Sequence, residues 1–314
     1  MADRPCSLFR CACDREPKGV LKEDVLILIT GATGHVGRGV ANILSERNVR
    51  LRLLGRDLSR LPQIGAECVA ADYDDPQSLE HAFEGIERAF IVSGYAEPGK
   101  RSTLHKNAFD AAAKAGVRHL VYLSFLSASP SSLFPMGRDH FWSEEHLRAT
   151  GVPFTSLRDS FYMDLIPEMF NDKGIMLGPA GDGRVSWVAR EDVIRVVASV
   201  LENPVGNEGI FDITGPESLT LQETAEQMSL LTGRELRYEN ESVQAGRAWR
   251  SQLGAPAWEV ETWLGSYEAI AAGELAKVSD AVRNLTGTAS SNLRSYFSLR
   301  PALIEGLQKK AADR

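Results

Sequence analysis

The stretch Val25-Leu26-Ile27-Leu28-Ile29-Thr30-Gly31-Ala32-Thr33-Gly34-His35-Val36-Gly37 constrains this chain more than any other. An unbroken apolar run ends in a glycine-rich turn, and Val36, Val40, Ile43 and Leu44 then recur at helical spacing. The pattern predicts a buried strand, a tight turn and an amphipathic helix. Gly31, Gly34 and Gly37 follow the spacing G-x-x-G-x-x-G. In such a unit the first glycine allows the sharp turn and the second lets backbone approach a pyrophosphate. The third lets the helix pack closely on the strand. Free N–H groups and the positive end of the helix dipole then face the phosphates. The context of strand, turn and helix makes this a nucleotide-binding turn rather than a bland one.

The rest of the chain sets bounds. Its 314 residues, 43% hydrophobic and 25% charged, allow one large domain or two modest ones. A net charge of −7 argues against a nucleic-acid partner, which calls for a basic face. No apolar run reaches the ~18 residues of a membrane span. Of the four cysteines, Cys6, Cys11 and Cys13 crowd the start and Cys68 stands alone. Their spacing has no nearby histidine or second cysteine pair, so no zinc or other metal site is expected. Residues 1–24 lack the apolar stretch of a signal peptide. They read as a disordered extension, and the compartment as cytoplasm.

Strand and helix signals alternate after the first helix. Arg50–Leu54, Cys68–Ala71, Ala89–Val92, Leu120–Ser124 and Phe154–Leu157 read as strands. Helices are expected after Asp75, whose Pro76 suits a first helical position, and over Ser102–Ala115, Asp139–Thr150 and Glu191–Leu201. Alternation of this kind predicts an α/β fold, an extended Rossmann doubly wound parallel sheet. Beyond Arg158 the alternation fails and turn-rich stretches appear. Gly209–Ile213 reads as a strand, Thr220–Thr232 as a helix with a capping box, and 242–286 as helical throughout. The expected division is a Rossmann domain over 25–158 plus 186–204. A smaller, mainly helical substrate subdomain over 159–185 and 205–314 would leave a cleft at the cofactor edge.

Cofactor choice is set at the end of the second strand. An acid there binds the ribose 2′-hydroxyl of NAD, and an arginine accommodates the 2′-phosphate of NADP. Leu54-Gly55-Arg56-Asp57 offers both, and Arg56 comes first, so NADP is preferred over NAD. Asp72, after the third strand, is placed to accept from the adenine amino group. Ser93, Gly94, Ser124 and Phe125 end the fourth and fifth strands, where ligands lie in open α/β sheets.

Gly31–Gly37, Ala71-Asp72-Tyr73, Leu157-Arg158-Asp159-Ser160-Phe161-Tyr162 and Pro179-Ala180-Gly181-Asp182-Gly183 together resemble the NmrA-like, atypical short-chain dehydrogenase/reductases. Among these the chain is most similar to NADPH-dependent quinone reductases and triphenylmethane-dye reductases. The resemblance covers roughly 25–290. It implies that Thr33, Gly34, His35 and Val36 contact the pyrophosphate and that Arg56 contacts the 2′-phosphate.

One feature of short-chain dehydrogenases is absent: no tyrosine of this chain has a lysine four residues on. Aligned on Glu144, Met136 takes the tyrosine place and His140 the lysine place. Reactions that must protonate a poor acid such as an alkoxide are then disfavoured. Hydride transfer to a conjugated, electrophilic acceptor is not. His140 is the candidate polar group near the nicotinamide, as proton donor or as a structural hydrogen-bonding group. Tyr162 is a candidate for catalysis or substrate stacking. Phe125 and Trp142, with Phe134 and Phe141, are candidates for an aromatic lining. The expected protein is an NADPH-dependent oxidoreductase, monomer or homodimer, acting on a small quinone-like or other conjugated aromatic substrate. The rival is an NADP(H)-sensing regulator of NmrA type that turns nothing over.

Overall fold

The apolar tetrapeptide Leu26–Ile29 forms β1, buried along its whole length. A strand of this kind needs helices on both faces, and the computed structural model, which describes residues 25–307, supplies them. In chain order the first half runs β1, α1 (His35–Glu46), β2 (Arg50–Gly55), β3 (Glu67–Ala70), α2 (Pro76–Phe83), β4 (Arg88–Ile91), α3 (Lys100–Lys114), β5 (His119–Phe125), α4 (Pro135–Ala149) and β6 (Phe154–Asp159). The second half runs β7 (Ile175–Gly178), β8 (Arg184–Val185), α5 (Arg190–Glu202), β9 (Gly209–Ile213), β10 (Leu219–Thr220), α6 (Leu221–Thr232), β11 (Arg237–Asn240), α7 (Val243–Arg250), α8 (Ala257–Ala271), α9 (Ala281–Thr286) and α10 (Leu293–Ser298).

Seven strands form one sheet in the order β3-β2-β1-β4-β5-β6-β9, and every pairing is parallel. The order reverses between β1 and β4. In doubly wound sheets ligands bind in the crevice beyond the strand ends at that point. One face packs Val36, Val40 and Leu44 of α1 against Val193, Val196 and Val197 of α5. The other packs Leu79 and Phe83 of α2 and Ala108 and Phe109 of α3. The α/β class and the extended Rossmann sheet expected from the alternation are thus present.

The local signals hold where they are strong. Asp75 caps α2, its carboxylate accepting from the Gln77 and Ser78 amides at 3.1 and 3.3 Å. Thr220 and Glu223 close the capping box of α6 at 3.0 and 2.9 Å. α4 starts at Pro135, earlier than the expected Asp139, because proline's fixed φ favours a first helical position.

The second half differs from expectation in three ways. β9, within the stretch assigned to the substrate subdomain, is the seventh strand of the main sheet. Ala281 and Val282 of α9 join the core on the α1 side of that sheet. Short strands accompany the subdomain's helices, and none of them was expected: β7 pairs with β11 and β8 with β10. Finally, 242–286 is broken into α7, α8 and α9, with left-handed Gly254 and Gly273 at the breaks. A second hydrophobic cluster, with Met163, Met176, Trp187, Leu221, Met228 and Ile270, packs these elements and reaches Phe125 at the end of β5. The Gly178–Gly183 turn serves this packing. A Cβ on Gly178 would lie 2.2 Å from the Tyr267 ring, and one on Gly183 would lie 2.1 Å from the Ile270 carbonyl oxygen. Cys6, Cys11 and Cys13, and the extension as a whole, lie outside the described residues.

Candidate active site

The glycine turn is built as its spacing implies. Gly31 takes φ +59°, and a Cβ there would meet Val92 at 3.0 Å. The Gly34 amide donates to Gly31 O at 2.9 Å, closing the turn. A Cβ on Gly37 would lie 2.4 Å from Gly31 O, so only glycine lets α1 sit this close to the end of β1. Gly34 caps α1 with no side-chain bond. The amides of the first turn therefore lack partners within the helix, which suits an anion.

Beside this turn lies a cavity of about 400 Å³ lined by Gly31, Thr33, Arg56, Asp72, Ser93, Gly94 and Tyr95 among others. The structure thus gathers six of the expected cofactor residues around one space, while Gly34, His35, Val36 and Gly37 form the adjoining turn. The Arg56 side chain is 82% exposed and its nearest acid is Asp72, at 4.0 Å. Asp72 is partly committed, since its Oδ1 accepts from the Asp74 amide at 3.1 Å. Tyr95 links this edge to the subdomain: its hydroxyl bonds Glu259, and its ring lies 5.5 Å from Trp258.

Ser124 differs. Its hydroxyl donates at 2.6 Å to Glu144 Oε1, inside the protein. The same oxygen accepts from Ser156 Oγ at 2.7 Å and Arg158 Nε at 2.9 Å, and Oε2 accepts from Arg158 Nη2 at 2.5 Å. Glu144 is 1% exposed. The Ser124 side chain ties β5 to α4 and β6 and does not line the cavity.

His140 is 3% exposed and lies within a buried polar network. Arg101 Nη2 donates to its Nε2 at 2.8 Å, and its Nδ1 lies 2.8 Å from the Tyr122 hydroxyl. Arginine has no acceptor, so Nε2 keeps its lone pair and the proton sits on Nδ1. His105 is fixed in the same way. The Gly94 amide donates to its Nε2 at 2.8 Å, and its Nδ1 faces Ser143 Oγ at 2.9 Å and the Tyr122 hydroxyl at 3.0 Å. Ser143 Oγ in turn donates a hydrogen bond to the Asp139 carbonyl at 2.7 Å. Burial, and next the Arg101 charge, hold both imidazoles well below the usual histidine range. Both are neutral at pH 7, and a proton added to either would displace an existing donor. Arg101 also donates from Nε to Gly94 O at 2.7 Å, so the Gly94 peptide is clamped on both sides.

Tyr162 is engaged as well. Its hydroxyl donates to Asp159 Oδ2, and the Arg190 guanidinium lies 4.7 Å over its ring. Burial, and next the Asp159 charge, push its pKa well above the usual tyrosine value. Burial pushes the Asp159 carboxyl up to about 7, opposed by the Tyr162 hydrogen bond and by Arg101 and Arg190. Asp159 and Arg101 are polar groups at this edge that the sequence reading did not single out. One signal was available: Arg101, His105, Ala108 and Ala112 share a helical stripe with buried apolar residues.

The aromatic candidates separate. Phe125 packs against Phe134 at 4.9 Å, Phe161 at 5.0 Å and His140 at 6.2 Å, and Phe161 reaches Trp187 at 6.3 Å. Trp142 is 52% exposed and pairs with Phe141 on α4, apart from that wall. Among the described residues no helix is long and apolar enough to cross a membrane, and no cluster of histidine, cysteine and carboxylate side chains is arranged for a metal.

A family model described as the NmrA-like family matches residues 23–257. An NAD(P)H azoreductase of Xenophilus azovorans is 26% identical over 88% of this chain and 98% of its own. The NADPH complex of the quinone oxidoreductase QOR2 from Escherichia coli superposes with a TM-score of 0.79 at 27% identity, covering 87% of this chain and 99% of that one. A triphenylmethane reductase from a Citrobacter species gives 0.78 at 26% identity, covering 91% and 99%.

Proposed function

The chain belongs to the NmrA-like family, and we propose that this NAD(P)H-dependent oxidoreductase passes hydride from NADPH to a small quinone-like or other conjugated aromatic acceptor, in the cytoplasm, as a monomer or homodimer. The observation that carries the reading is the state of the edge where short-chain dehydrogenases hold their acid pair. Here it presents a buried neutral imidazole bonded to Arg101 and Tyr122 and packed against Phe125. A site of this kind suits an acceptor that spreads its charge and takes any proton later from solvent.

The residues fit the cofactor. The uncapped N-terminus of α1 suits the diphosphate, and Arg56, exposed and in only a loose ion pair with Asp72 at 4.0 Å, can turn to a 2′-phosphate. Bound there, the nicotinamide supplies the hydride. Arg101 and His105 hold the Gly94 peptide at the cavity wall, and the Phe125–Phe134–Phe161 cluster keeps water from the strand ends. The azoreductase, quinone reductase and triphenylmethane reductase relatives support the acceptor class, and the NADPH complex supports the donor.

Steady-state assays with NADPH and a quinone series test the reading. Rates should rise with quinone electrophilicity, and simple aliphatic ketones should be poor substrates. Deuteride from nicotinamide C4 should appear in products where hydride lands on carbon. Tight NADPH binding with no turnover on any acceptor would favour the sensor instead.

Cofactor choice has its own test. Arg56→Ala should weaken NADPH binding about tenfold, the weight of one charge-assisted phosphate contact, and leave NADH binding unchanged. Calorimetric titration of both nucleotides reads this, and equal affinities in the unmutated protein would sink the assignment.

A further inference from the structure

Tyr95 lines the cofactor cavity but makes its side-chain contacts elsewhere, on the first turn of α8. Its hydroxyl donates to Glu259 Oε1, and its ring lies 5.5 Å from that of Trp258. The rest of the residue is open to solvent, with 71% of its surface exposed. The helix it reaches is firmly seated. Val260, Leu264, Ala269 and Ile270 of α8 are buried, and Trp263, Ser266 and Tyr267 line a cavity of about 560 Å³ in the substrate subdomain. That cavity shares no lining residue with the cofactor cavity. Tyr95 therefore fastens the edge of one cavity to a fixed helix that walls the other.

The backbone that carries Tyr95 is an arch with pinned ends. At one end Arg101 and His105 clamp the Gly94 peptide. At the other, the Gly99 amide donates to both carboxylate oxygens of Asp139 on α4, at 2.9 and 3.2 Å, and Gly99 O accepts from Ser102 Oγ at 2.9 Å. Gly99 takes φ +89°, open to glycine and strained for other residues, so the chain can pivot there. Between the pins the amides of Tyr95, Ala96 and Glu97 make no hydrogen bond among the described residues, and Glu97 O accepts from the Arg101 amide at 3.1 Å, where α3 begins. A short segment with free amides between two fixed points opens at low cost. What holds this one down is the side chain of Tyr95.

We propose that the arch 95–98 is a latch on the cofactor cavity. It is closed while Tyr95 rests on Trp258 and Glu259, and it opens, by losing those two contacts, to let NADPH enter and leave. The contacts have the strength such a device needs. An aromatic pair or a hydrogen bond of this kind shifts an equilibrium by about three- to tenfold. That keeps the latch mostly closed and still lets it open in every cycle. Loops that must open before a ligand leaves set its exchange rate, so Tyr95 controls how fast the cofactor is exchanged and not how tightly it is held. The proposal rests on the reading that NADPH occupies this cavity.

Stopped-flow fluorescence of NADPH with the full chain tests it. Direct mixing gives the association rate, and a chase with excess NADP⁺ gives the dissociation rate. A latch that gates without binding changes both by the same factor. Tyr95→Phe keeps the ring and loses the hydroxyl, and Glu259→Ala removes the acceptor. Each should raise both rates about threefold, and the two together should do no more than either alone, because they break one bond. Tyr95→Ala removes both contacts and should raise both rates about tenfold. Kd should stay unchanged throughout. Tyr95 is exposed and Glu259 is partly so, and neither variant threatens folding. Unchanged rates overturn the proposal. So does faster release at an unchanged association rate, which would make Tyr95 an ordinary cofactor contact. Unchanged exchange in variants that still reduce quinones overturns the latch and leaves the reductase reading intact. Exchange that speeds up as expected, with no turnover on any acceptor, upholds the latch and removes the reductase reading. No binding of NADPH at all removes both.

Discussion

Glu144→Ala is expected to lower the unfolding free energy by about 3–5 kcal/mol, the cost of stranding a buried charge. Glu144 is the common acceptor for Ser124, Ser156 and Arg158, three side chains from two neighbouring strands. Removing it leaves the Arg158 guanidinium, whose side chain is 19% exposed, without its partner, and two buried hydroxyls without an acceptor. Urea denaturation with a two-state fit measures the change. Glu144→Leu combined with Arg158→Met should recover much of the loss, because an apolar pair carries no stranded charge. A cost under about 1 kcal/mol would mean that Arg158 finds another acceptor and that the tie between α4 and the sheet is not structural. The damage should reach the site as well, since β5 and β6 end in Phe125 and Asp159, which lie side by side in the sheet.

Ser124 also shows where sequence reading stops. Its place at a strand end is legible from the run Leu120–Ser124. The direction of its hydroxyl is not, because β5 is buried on both faces and alternation carries no signal there. The glycine turn is legible in full because its parts are contiguous and each glycine answers one local steric demand. His140 is legible as a candidate polar residue, and it lies on α4. Its protonation state depends on Arg101, 39 residues earlier in the chain, and on Tyr122, 18 residues earlier. The short strands β7, β8, β10 and β11 have two to four residues each, too few to show a period. β9 is visible as a strand, but nothing local says that it pairs with β6 in the main sheet rather than within the subdomain. Trp249 and Trp263 are the same case: both are plain in the sequence, yet only the packing of α7 and α8 against β7 brings them to the wall of one cavity.

His140→Gln should separate the structural from the catalytic role of this imidazole. The neutral ring accepts from Arg101 and donates to Tyr122, and a glutamine amide can reproduce at most part of that geometry. The variant should lose about 1–3 kcal/mol of stability above neutral pH, the range for a disturbed buried polar group. The sign of the pH dependence follows from the depressed folded pKa of His140. In the unfolded chain the ring takes up a proton below about 6.5, whereas the folded protein resists it. The stability contributed by the neutral ring is therefore complete above that value and is lost as pH falls below it, at up to about 1.4 kcal/mol per pH unit. Glutamine does not titrate, so the deficit of the variant should shrink on acidification and vanish within one to two units. His105, also depressed, adds a loss of the same sign to both proteins, and Asp159, raised to about 7, one of opposite sign, so the comparison between the two proteins isolates the His140 ring together with its coupling to His105. Thermal or urea melts of the two proteins across the acid range measure the difference. Turnover on a quinone should fall by less than the ~10²-fold low end of general-acid effects. A deficit that stays constant with pH would mean that the folded protein binds the proton as readily as the unfolded chain. A 10⁴-fold loss of turnover at unchanged NADPH affinity, near the upper end of general-acid effects, would make His140 a proton donor and the acid-free mechanism untenable.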